Sequence, residues 1–270
     1  MRKLALYPLS LLYGLAIWVR NLFFDLGILQ TQHISGLSIC VGNLNVGGTG
    51  KSPHVGYLIG LLSPLVQVQV LSRGYGRKTK GFIALSTNST AAHVGDEPQM
   101  LFNQYQDKAQ FAVCEKRSIG IDRLRKEQPA SLILLDDAFQ HRYVKAGLNI
   151  VLSVYDQPMH QDFLLPAGRL REPISGLKRA DAIVITKCPK FETFDLNELK
   201  KQYQKWQIPV FFSRYTYHAL QSKGRILEQI NEVFIVSGVA LPKQLNEAFP
   251  PSTNIRHRTF RDHHTYTPMD

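Results

Sequence analysis

The chain has 270 residues, of which 44% are hydrophobic and 20% charged, a balance typical of a globular protein with a sizeable buried core and one or two domains. Its three cysteines are scattered without Cys-x-x-Cys spacing, which argues against a disulfide framework or a zinc site and fits a reducing cytosol. The net charge of +11 favours anionic partners: nucleic acid, an acidic membrane surface or phosphorylated substrates.

The chain opens with an apolar segment over residues 4–19, flanked by basic residues. This segment is shorter than the roughly 20 residues that a spanning helix needs, and Pro8 and Gly14 interrupt it. A signal peptide and a core helix are alternatives, but no small-residue cleavage site follows. We predict a helix that lies on the membrane surface, with apolar anchors at Trp18, Phe23 and Phe24.

A glycine-rich turn follows the apolar run at residues 37–41 and precedes a helix predicted over residues 53–62. This order is typical of a phosphate-binding loop, because small residues let backbone N–H groups curl around phosphates at a helix N-terminus. It predicts that Lys51 reaches the β- and γ-phosphate oxygens and that the Ser52 hydroxyl ligates Mg²⁺. The alternative is an ordinary glycine turn. The predicted ATP-binding residues are Asn45, Val46, Gly47, Gly48, Thr49, Gly50, Lys51 and Ser52.

Apolar runs alternate with helical patterns through the middle of the chain. Strands are predicted over residues 66–71, 111–113, 132–135, 150–153, 182–186 and 233–236, and helices after residue 96 and over 117–126 and 192–206. Continuous apolar runs are typical of buried parallel strands, so the fold class is α/β, a doubly wound, mostly parallel sheet of P-loop NTPase type. We predict a membrane-associated helix over 1–27, a nucleotide-binding domain over 28–206 and a smaller C-terminal lobe over 207–270.

Two carboxylates, Asp136 and Asp137, end the apolar run at residues 132–135. In nucleotide-hydrolysing sheets the strand beside the phosphate loop ends in such an acid, which holds Mg²⁺ directly or through water. A solvated acid pair at a strand end is the alternative. The predicted metal ligands are Ser52, Asp136 and Asp137, with the direct ligand left open between the two carboxylates.

Two further motifs carry ionisable side chains: Asp96-Glu97 before a proline, and His263-His264 near the end of the chain. Each is unspecific alone, since an acidic pair before proline usually caps a helix and a histidine pair is usually solvated. Together they offer what a kinase needs near the acceptor hydroxyl, either an acid-oriented histidine or a carboxylate base. Zinc binding is disfavoured, because adjacent histidines point in different directions.

Seven segments together resemble the tetraacyldisaccharide 4′-kinases, the lipid A 4′-kinases of Gram-negative bacteria. The segments are residues 42–53, 71–77, 95–98, 135–142, 165–173, 237–238 and 260–264. The family is similar in lacking the first Walker glycine, whose place Asn45 takes here. The chain departs from the family at Ala138, usually Gly, and at Arg261, usually Pro.

The resemblance implies a kinase that uses ATP and Mg²⁺ to phosphorylate the 4′-hydroxyl of an acylated disaccharide phosphate. It implies that Asp96 is the base, assisted by His263, and we expect Lys51 to neutralise charge in the transition state. We expect substrate contacts from Arg73, Gln140, His141 and Arg171.

We therefore expect a glycolipid substrate, a monomer, no nucleic-acid partner, and a peripheral position on the cytoplasmic face of the inner membrane. A non-enzymatic nucleotide switch and a nucleic-acid ATPase are alternatives. The candidate base disfavours the first, and the apolar N-terminal segment disfavours the second. Because family members usually continue past the motif Asp262-His263-His264, we expect the chain ending at Asp270 to be a fragment or a short form.

Overall fold

The computed structural model describes residues 2–190, 192, 194–217, 221–222, 225–226, 230–238, 245–246, 248–260 and 267. The chain divides into two compact units, Met1–Arg214 and Tyr215–Asp270. The candidate site residues described below all lie in the first unit.

The helices are α1 (Arg2–Asp25), α2 (Lys51–Leu62), α3 (Ala91–Val94), α4 (Asp96–Tyr105), α5 (Arg117–Glu127) and α6 (Leu196–Tyr203). The strands of the first unit are β1 (Gln32–His33), β2 (Ser38–Asn43), β3 (Val68–Ser72), β4 (Ile83–Ala84), β5 (Ala109–Val113), β6 (Leu132–Asp136), β7 (Val144–Lys145), β8 (Leu148–Val154), β9 (Ala182–Thr186) and β10 (Val210–Phe212). The second unit has β11 (Gln221–Ser222) paired antiparallel with β12 (Arg225–Ile226), and β13 (Glu232–Ser237) paired parallel with β14 (Asn254–Thr259).

Eight strands of the first unit form one sheet in the order β10-β9-β8-β2-β6-β3-β5-β4. Every neighbouring pair is parallel except β4 and β5. The chain leaves β2, adds strands on one side, returns to place β6 beside β2, and then crosses to β8 on the other side. Strands β2 and β6 are therefore neighbours, and the segments that follow them emerge side by side at the carboxyl edge, where such sheets bind ligands.

Side chains from the two faces of the sheet enter separate cores. On β2, Cys40 packs in one core and Val41 in the other, as the two-residue period of a strand requires. The core of Val41 contains side chains of α2 and α4, and the core of Cys40 contains those of α5 and α6. Helices thus cover both faces, which confirms the predicted doubly wound, mostly parallel sheet.

Helix α6 is shorter than the helix predicted over residues 192–206. It begins at Leu196, because the Asp195 side chain accepts a hydrogen bond from the Asn197 N–H and caps the helix (2.7 Å). A 3₁₀ turn follows it over Gln204–Trp206.

Helix α1 is longer and less interrupted than the sequence predicts. It is continuous over 24 residues with Pro8 inside it, and the 20-residue stretch Leu6–Asp25 is long and apolar enough to cross a membrane by length and composition. The prediction that this segment is too short and too interrupted to span was therefore wrong. One face of the helix nevertheless packs against the rest of the first unit, while the side chains of Leu11, Leu12, Leu15 and Trp18 are exposed.

Phe24 lies on the packed face of α1, and the prediction that it anchors the helix in a membrane was wrong. Its side chain is only 6% exposed. The ring meets Tyr143 edge-on at 5.0 Å, and the guanidinium groups of Arg20 and Arg142 stack over it. Phe23, by contrast, is exposed.

Candidate active site

The loop between β2 and α2 has the backbone of a phosphate cradle. Gly47 and Gly50 have φ angles of 103° and 90°, which is left-handed backbone that a side chain would disfavour. Gly50 caps α2, so the first N–H groups of the helix and its positive dipole end face the loop. Lys51 and Ser52 begin the helix, and Gly48 lies between the two left-handed glycines.

Thr49 fastens this loop to two strands. Its hydroxyl accepts a hydrogen bond from the side-chain amide of Asn43 at the end of β2 (2.8 Å). Its carbonyl accepts one from the Thr186 hydroxyl at the end of β9 (2.9 Å). The sequence carries no signal for the role of Thr186, because its partner lies 137 residues away.

Asn45 and Val46 tie the start of the loop to the segment over residues 162–171. The Asn45 amide donates to the Asp162 carboxylate (3.1 Å), and the Val46 N–H donates to the Arg169 carbonyl (2.7 Å). An asparagine at this position therefore supplies an anchor that a glycine lacks. Both residues remain predicted ATP-binding positions through their place in the loop.

Asp136 is buried at the end of β6, directly across from Val41 of β2. Its side chain is 3% exposed, and one oxygen accepts a hydrogen bond from the Ser72 hydroxyl (3.0 Å). The other oxygen, Oδ1, has no hydrogen-bond partner among the described residues. Burial raises the pKa of Asp136 to about 6, with the charges of Asp137 and Glu97 adding to the effect. A buried carboxylate oxygen without a hydrogen-bond partner among the described residues is available to bind a cation.

Asp137 adopts left-handed backbone (φ 48°), and β6 ends just before it, at Asp136. Its carboxylate lies 3.6 Å from the Lys51 ammonium and accepts two hydrogen bonds from the Arg171 guanidinium, at 2.8 and 3.2 Å. Burial raises the pKa of Asp137, but the charges of Lys51 and Arg171 outweigh burial and hold it below its usual value. The structure thus brings Lys51, Asp136, Asp137 and Arg171 together.

Arg117 is a further charged group at this edge, which the sequence indicates only as the start of a basic helix. It is 2% exposed, and its guanidinium donates to the carbonyls of Cys114 (2.6 Å) and Asp136 (3.2 Å). Burial lowers its pKa to about 10, so it remains charged at neutral pH. A basic residue in the first helical turn after β5 carries no sequence signal that distinguishes it from a surface arginine.

The residues present fit Mg²⁺. This ion is usually held by one or two carboxylates together with substrate phosphates, not by an all-protein cage. The described residues contain no group of three or more His, Cys, Asp or Glu side chains that could hold a metal. They do offer the buried Asp136 Oδ1, the Asp137 carboxylate and the Ser52 hydroxyl in the first turn of α2.

Asp96 and Glu97 open helix α4, where the helix dipole favours carboxylates. The preceding Gly95 packs closely on the basic loop after β3: a Cβ there would lie 2.9 Å from the Tyr75 carbonyl oxygen. Glu97 is near enough to Asp136 to help raise its pKa, whereas the Asp96 side chain is exposed. His263, the predicted partner of Asp96, lies outside the described residues.

Of the predicted substrate contacts, Gln140 has a role within the protein. Its side-chain amide donates to the Asn43 carbonyl (2.6 Å) and to the Glu172 carboxylate (3.1 Å). It therefore braces the end of β2 against the segment that carries Arg171.

His141 lies among arginines. Burial and the charges of Arg117, Arg73 and Arg20 lower its pKa to about 4, so the imidazole is neutral at neutral pH. Arg73 is exposed directly after β3. The exposed Arg73 and the half-buried Arg20 thus give a positively charged surface near this neutral imidazole, and the buried Arg117 adds its charge from within the protein.

A glycine-rich loop with Lys-Ser at a helix start, next to a strand that ends in paired carboxylates, defines a P-loop nucleotide-binding protein. The family model described as LpxK, Tetraacyldisaccharide-1-P 4′-kinase, matches residues 2–270. The chain belongs to this family.

Named relatives agree with the family match. The chain is 43% identical to the tetraacyldisaccharide 4′-kinase of Bacteroides fragilis, over 98% of this chain and 74% of the relative. It is 42% identical to that of Porphyromonas gingivalis, over 97% of this chain and 76% of the relative. Among solved structures, the "apo" form of LpxK from Aquifex aeolicus in complex with ATP is similar, with a TM-score of 0.78, 31% identity, and coverage of 99% of this chain and 85% of that one.

Proposed function

We propose that the protein transfers the γ-phosphate of ATP to the 4′-hydroxyl of a tetraacyldisaccharide 1-phosphate, a step of lipid A biosynthesis. The observation that carries this proposal is the pair of cations, Lys51 and Arg171, held on Asp137 beside the phosphate loop and the buried Asp136. Family membership supplies the acceptor, because relatives that are 42–43% identical over nearly the whole of this chain are named for that reaction.

Catalysis of phosphoryl transfer rests on positioning and on neutralising the charge that the transferred group spreads over its oxygens. The N–H groups of the loop bind the phosphates, and Lys51 faces the β- and γ-oxygens. Arg171 is held rigidly at the same edge through Asp137. Mg²⁺, when bound at Ser52 and the acid pair, supplies further charge neutralisation.

Asp96 is the group that accepts the proton of the sugar hydroxyl in this proposal, with His263 assisting it. Its position at the start of α4 supports this role, since Gly95 fixes that helix against the loop after β3. A carboxylate with an exposed side chain is accessible to an acceptor arriving from outside the sheet.

The positively charged surface around His141 supports a phosphorylated acceptor. Besides burial, the charges of the buried Arg117 and of the solvent-accessible Arg73 and Arg20 lower the pKa of His141, so positive charge lies near its ring. We propose that Arg73 and His141 lie against the acceptor's own phosphate, which distinguishes a disaccharide 1-phosphate from its dephosphorylated form.

The direct test is to incubate the purified protein with γ-labelled ATP and the tetraacyldisaccharide 1-phosphate and to look for labelled lipid. Transfer of label to the lipid is expected. Label released only as inorganic phosphate, or label on neither product, would reject the kinase assignment.

Removal of divalent ions is expected to abolish transfer. Oxygen ligands such as Ser52 and the carboxylates of Asp136 and Asp137 suit Mg²⁺ and do not suit zinc. Activity should disappear in EDTA and return with Mg²⁺ but not with Zn²⁺. Full turnover in EDTA would contradict the metal site.

We further propose that the enzyme is a peripheral monomer on the cytoplasmic face of the inner membrane. An acylated disaccharide leaves a bilayer only at high cost, since each buried CH₂ contributes about 0.8 kcal/mol. The exposed leucines of α1 and the positive charge of the chain suit an anionic membrane surface.

Polar substitution of the outward face of α1 is expected to release the protein from membranes. Leu12 and Trp18 are 65% and 56% exposed, so Leu12→Gln with Trp18→Gln removes apolar surface without opening the packed face. Co-sedimentation with anionic vesicles should fall, and the apparent KM for lipid in vesicles should rise, while ATP affinity stays the same. Undiminished co-sedimentation would shift the anchor to the basic loop over residues 73–80.

A further inference from the structure

Helix α1 is joined to the active-site edge of the sheet by specific hydrogen bonds. Ser10 is only 4% exposed, although its neighbours along the helix are exposed leucines. Its hydroxyl donates to the Leu164 carbonyl (3.0 Å) and accepts from the Ala167 N–H (3.0 Å). A serine buried in this way and used as both donor and acceptor holds one backbone segment in one place.

Tyr13, one helical turn further on, holds the end of the same segment. Its hydroxyl donates to the backbone carbonyl of Arg171 (2.7 Å). The Arg171 N–H in turn donates to the Leu44 carbonyl just after β2 (2.7 Å). The backbone of the residue whose guanidinium grips Asp137 is therefore fixed from two sides, by α1 and by the start of the phosphate loop.

The helix approaches this segment closely because Gly14 has no side chain. A Cβ at Gly14 would lie 2.8 Å from Leu164 Cδ1. Ser10, Tyr13 and Gly14 follow the i, i+3, i+4 spacing of one helical face. The face opposite the exposed leucines is thus shaped to fit residues 163–171.

The second half of α1 holds the turn that follows β6. The Arg20 guanidinium donates to the Gln140 carbonyl (3.1 Å), and Arg142 donates to the Asn21 carbonyl (3.0 Å). The helix therefore braces both segments that carry polar side chains beside the acid pair.

We propose that helix α1 completes the active site, and that Ser10 and Tyr13 are positioning residues that fix residues 163–171 so that Arg171 meets Asp137. The kinetic part of this inference rests on the proposed kinase function. Its physical basis is that a misplacement of about 1 Å at a reacting centre costs on the order of 10²-fold in rate. If the helix only anchored the protein, removal of a single inward-facing hydroxyl would not change the rate of phosphoryl transfer in detergent micelles.

Tyr13→Phe removes that hydroxyl and keeps the ring. In detergent micelles we expect kcat to fall by about tenfold, with the KM for ATP changed by less than about twofold, because the change acts on positioning and not on nucleotide binding. Co-sedimentation with anionic vesicles should not change. Tyr7→Phe is the matched control. Tyr7 lies on the same helix, half-exposed, with its ring edge-on to Phe163. The kcat of the Tyr7→Phe variant should equal that of the wild type.

A double-mutant cycle separates positioning from general stability. Arg171→Lys keeps the charge but loses the two-pronged grip on Asp137. In that background Tyr13→Phe should add less loss of kcat than it does alone, because both changes act through one residue. Equal kcat for Tyr13→Phe and wild type, or fully additive losses, would overturn the proposal.

Amide hydrogen exchange tests the same inference without any substrate. Ser10→Ala and Tyr13→Phe should speed exchange in peptides covering residues 163–171 and leave those covering β3 and β5 unchanged. Unchanged exchange over 163–171 would overturn the positioning role. If the wild-type protein transfers no phosphate to the lipid, the kinase proposal fails, and the exchange measurement still decides whether α1 holds this segment.

Discussion

Lys51→Ala is expected to remove phosphoryl transfer almost completely, by about 10²–10³-fold or more in kcat, as the loss of one preorganised charge at a developing oxyanion does. The Lys51 ammonium lies at the first turn of α2, 3.6 Å from Asp137, and its side chain is largely enclosed. Its removal leaves Arg171 on Asp137, so the acid pair keeps one cation and the fold is retained. The measurement is initial rate with labelled ATP, together with circular dichroism.

The matched control is Lys126→Ala. Lys126 is exposed in the last turn of α5, so this substitution removes the same charge at a position away from the site. Its rate should equal that of the wild type. If a folded Lys51→Ala protein turned over normally, the phosphate loop would have no part in the mechanism.

Asp96→Asn is expected to lower kcat by about 10²–10⁴-fold, the usual contribution of a general base, with little change in ATP affinity. The substitution keeps the shape of the side chain at the start of α4 but removes its negative charge and its capacity to take a proton. Glu97→Gln, one position along, is the natural comparison because Glu97 acts electrostatically on Asp136. A larger loss of kcat in Glu97→Gln would assign the base to Glu97 instead.

His263→Ala is expected to give a similar loss of kcat. Because His263 is proposed to act through Asp96, the double variant should lose less than the sum of the two single losses. Additive losses, or losses confined to ATP affinity, would show that these residues are structural.

The sheet was predictable from sequence because its central strands are continuous apolar runs, which few structures other than a doubly covered parallel sheet can bury. The phosphate loop and the Asp136-Asp137 pair were predictable as neighbours because each follows such a run, and the carboxyl ends of parallel strands lie at one edge of the sheet. The two-residue strands β1, β4 and β7 are too short to show any periodicity. The partner of each short strand is set by the path of the loops on either side of it, which the sequence pattern does not show.

What sequence did not reveal depends on partners far away in the chain. The burial of Arg117 follows from carbonyls at the ends of β5 and β6, and the burial of Phe24 follows from Tyr143 and two arginines. A hydrophobic count over residues 4–19 describes the outward face of α1 correctly but carries no information on what Ser10 and Tyr13 meet. Amino-acid composition therefore reveals the exposed apolar face of such a helix but not the face that packs against the protein.

The sequence separation between α1 and its partners has a consequence for synthesis of the protein. Ser10 and Tyr13 bond to residues that follow them by 154 and 158 positions. At translation rates of about 5–20 residues per second, α1 is made roughly 8–30 s before residues 164–171 exist. During that interval the inward face of α1 has no docking partner from residues 164–171, while its outward leucines are already able to contact an apolar surface. With the membrane position proposed above, α1 reaches the bilayer while the chain is still on the ribosome, and residues 164–171 then assemble onto a helix that is already in place.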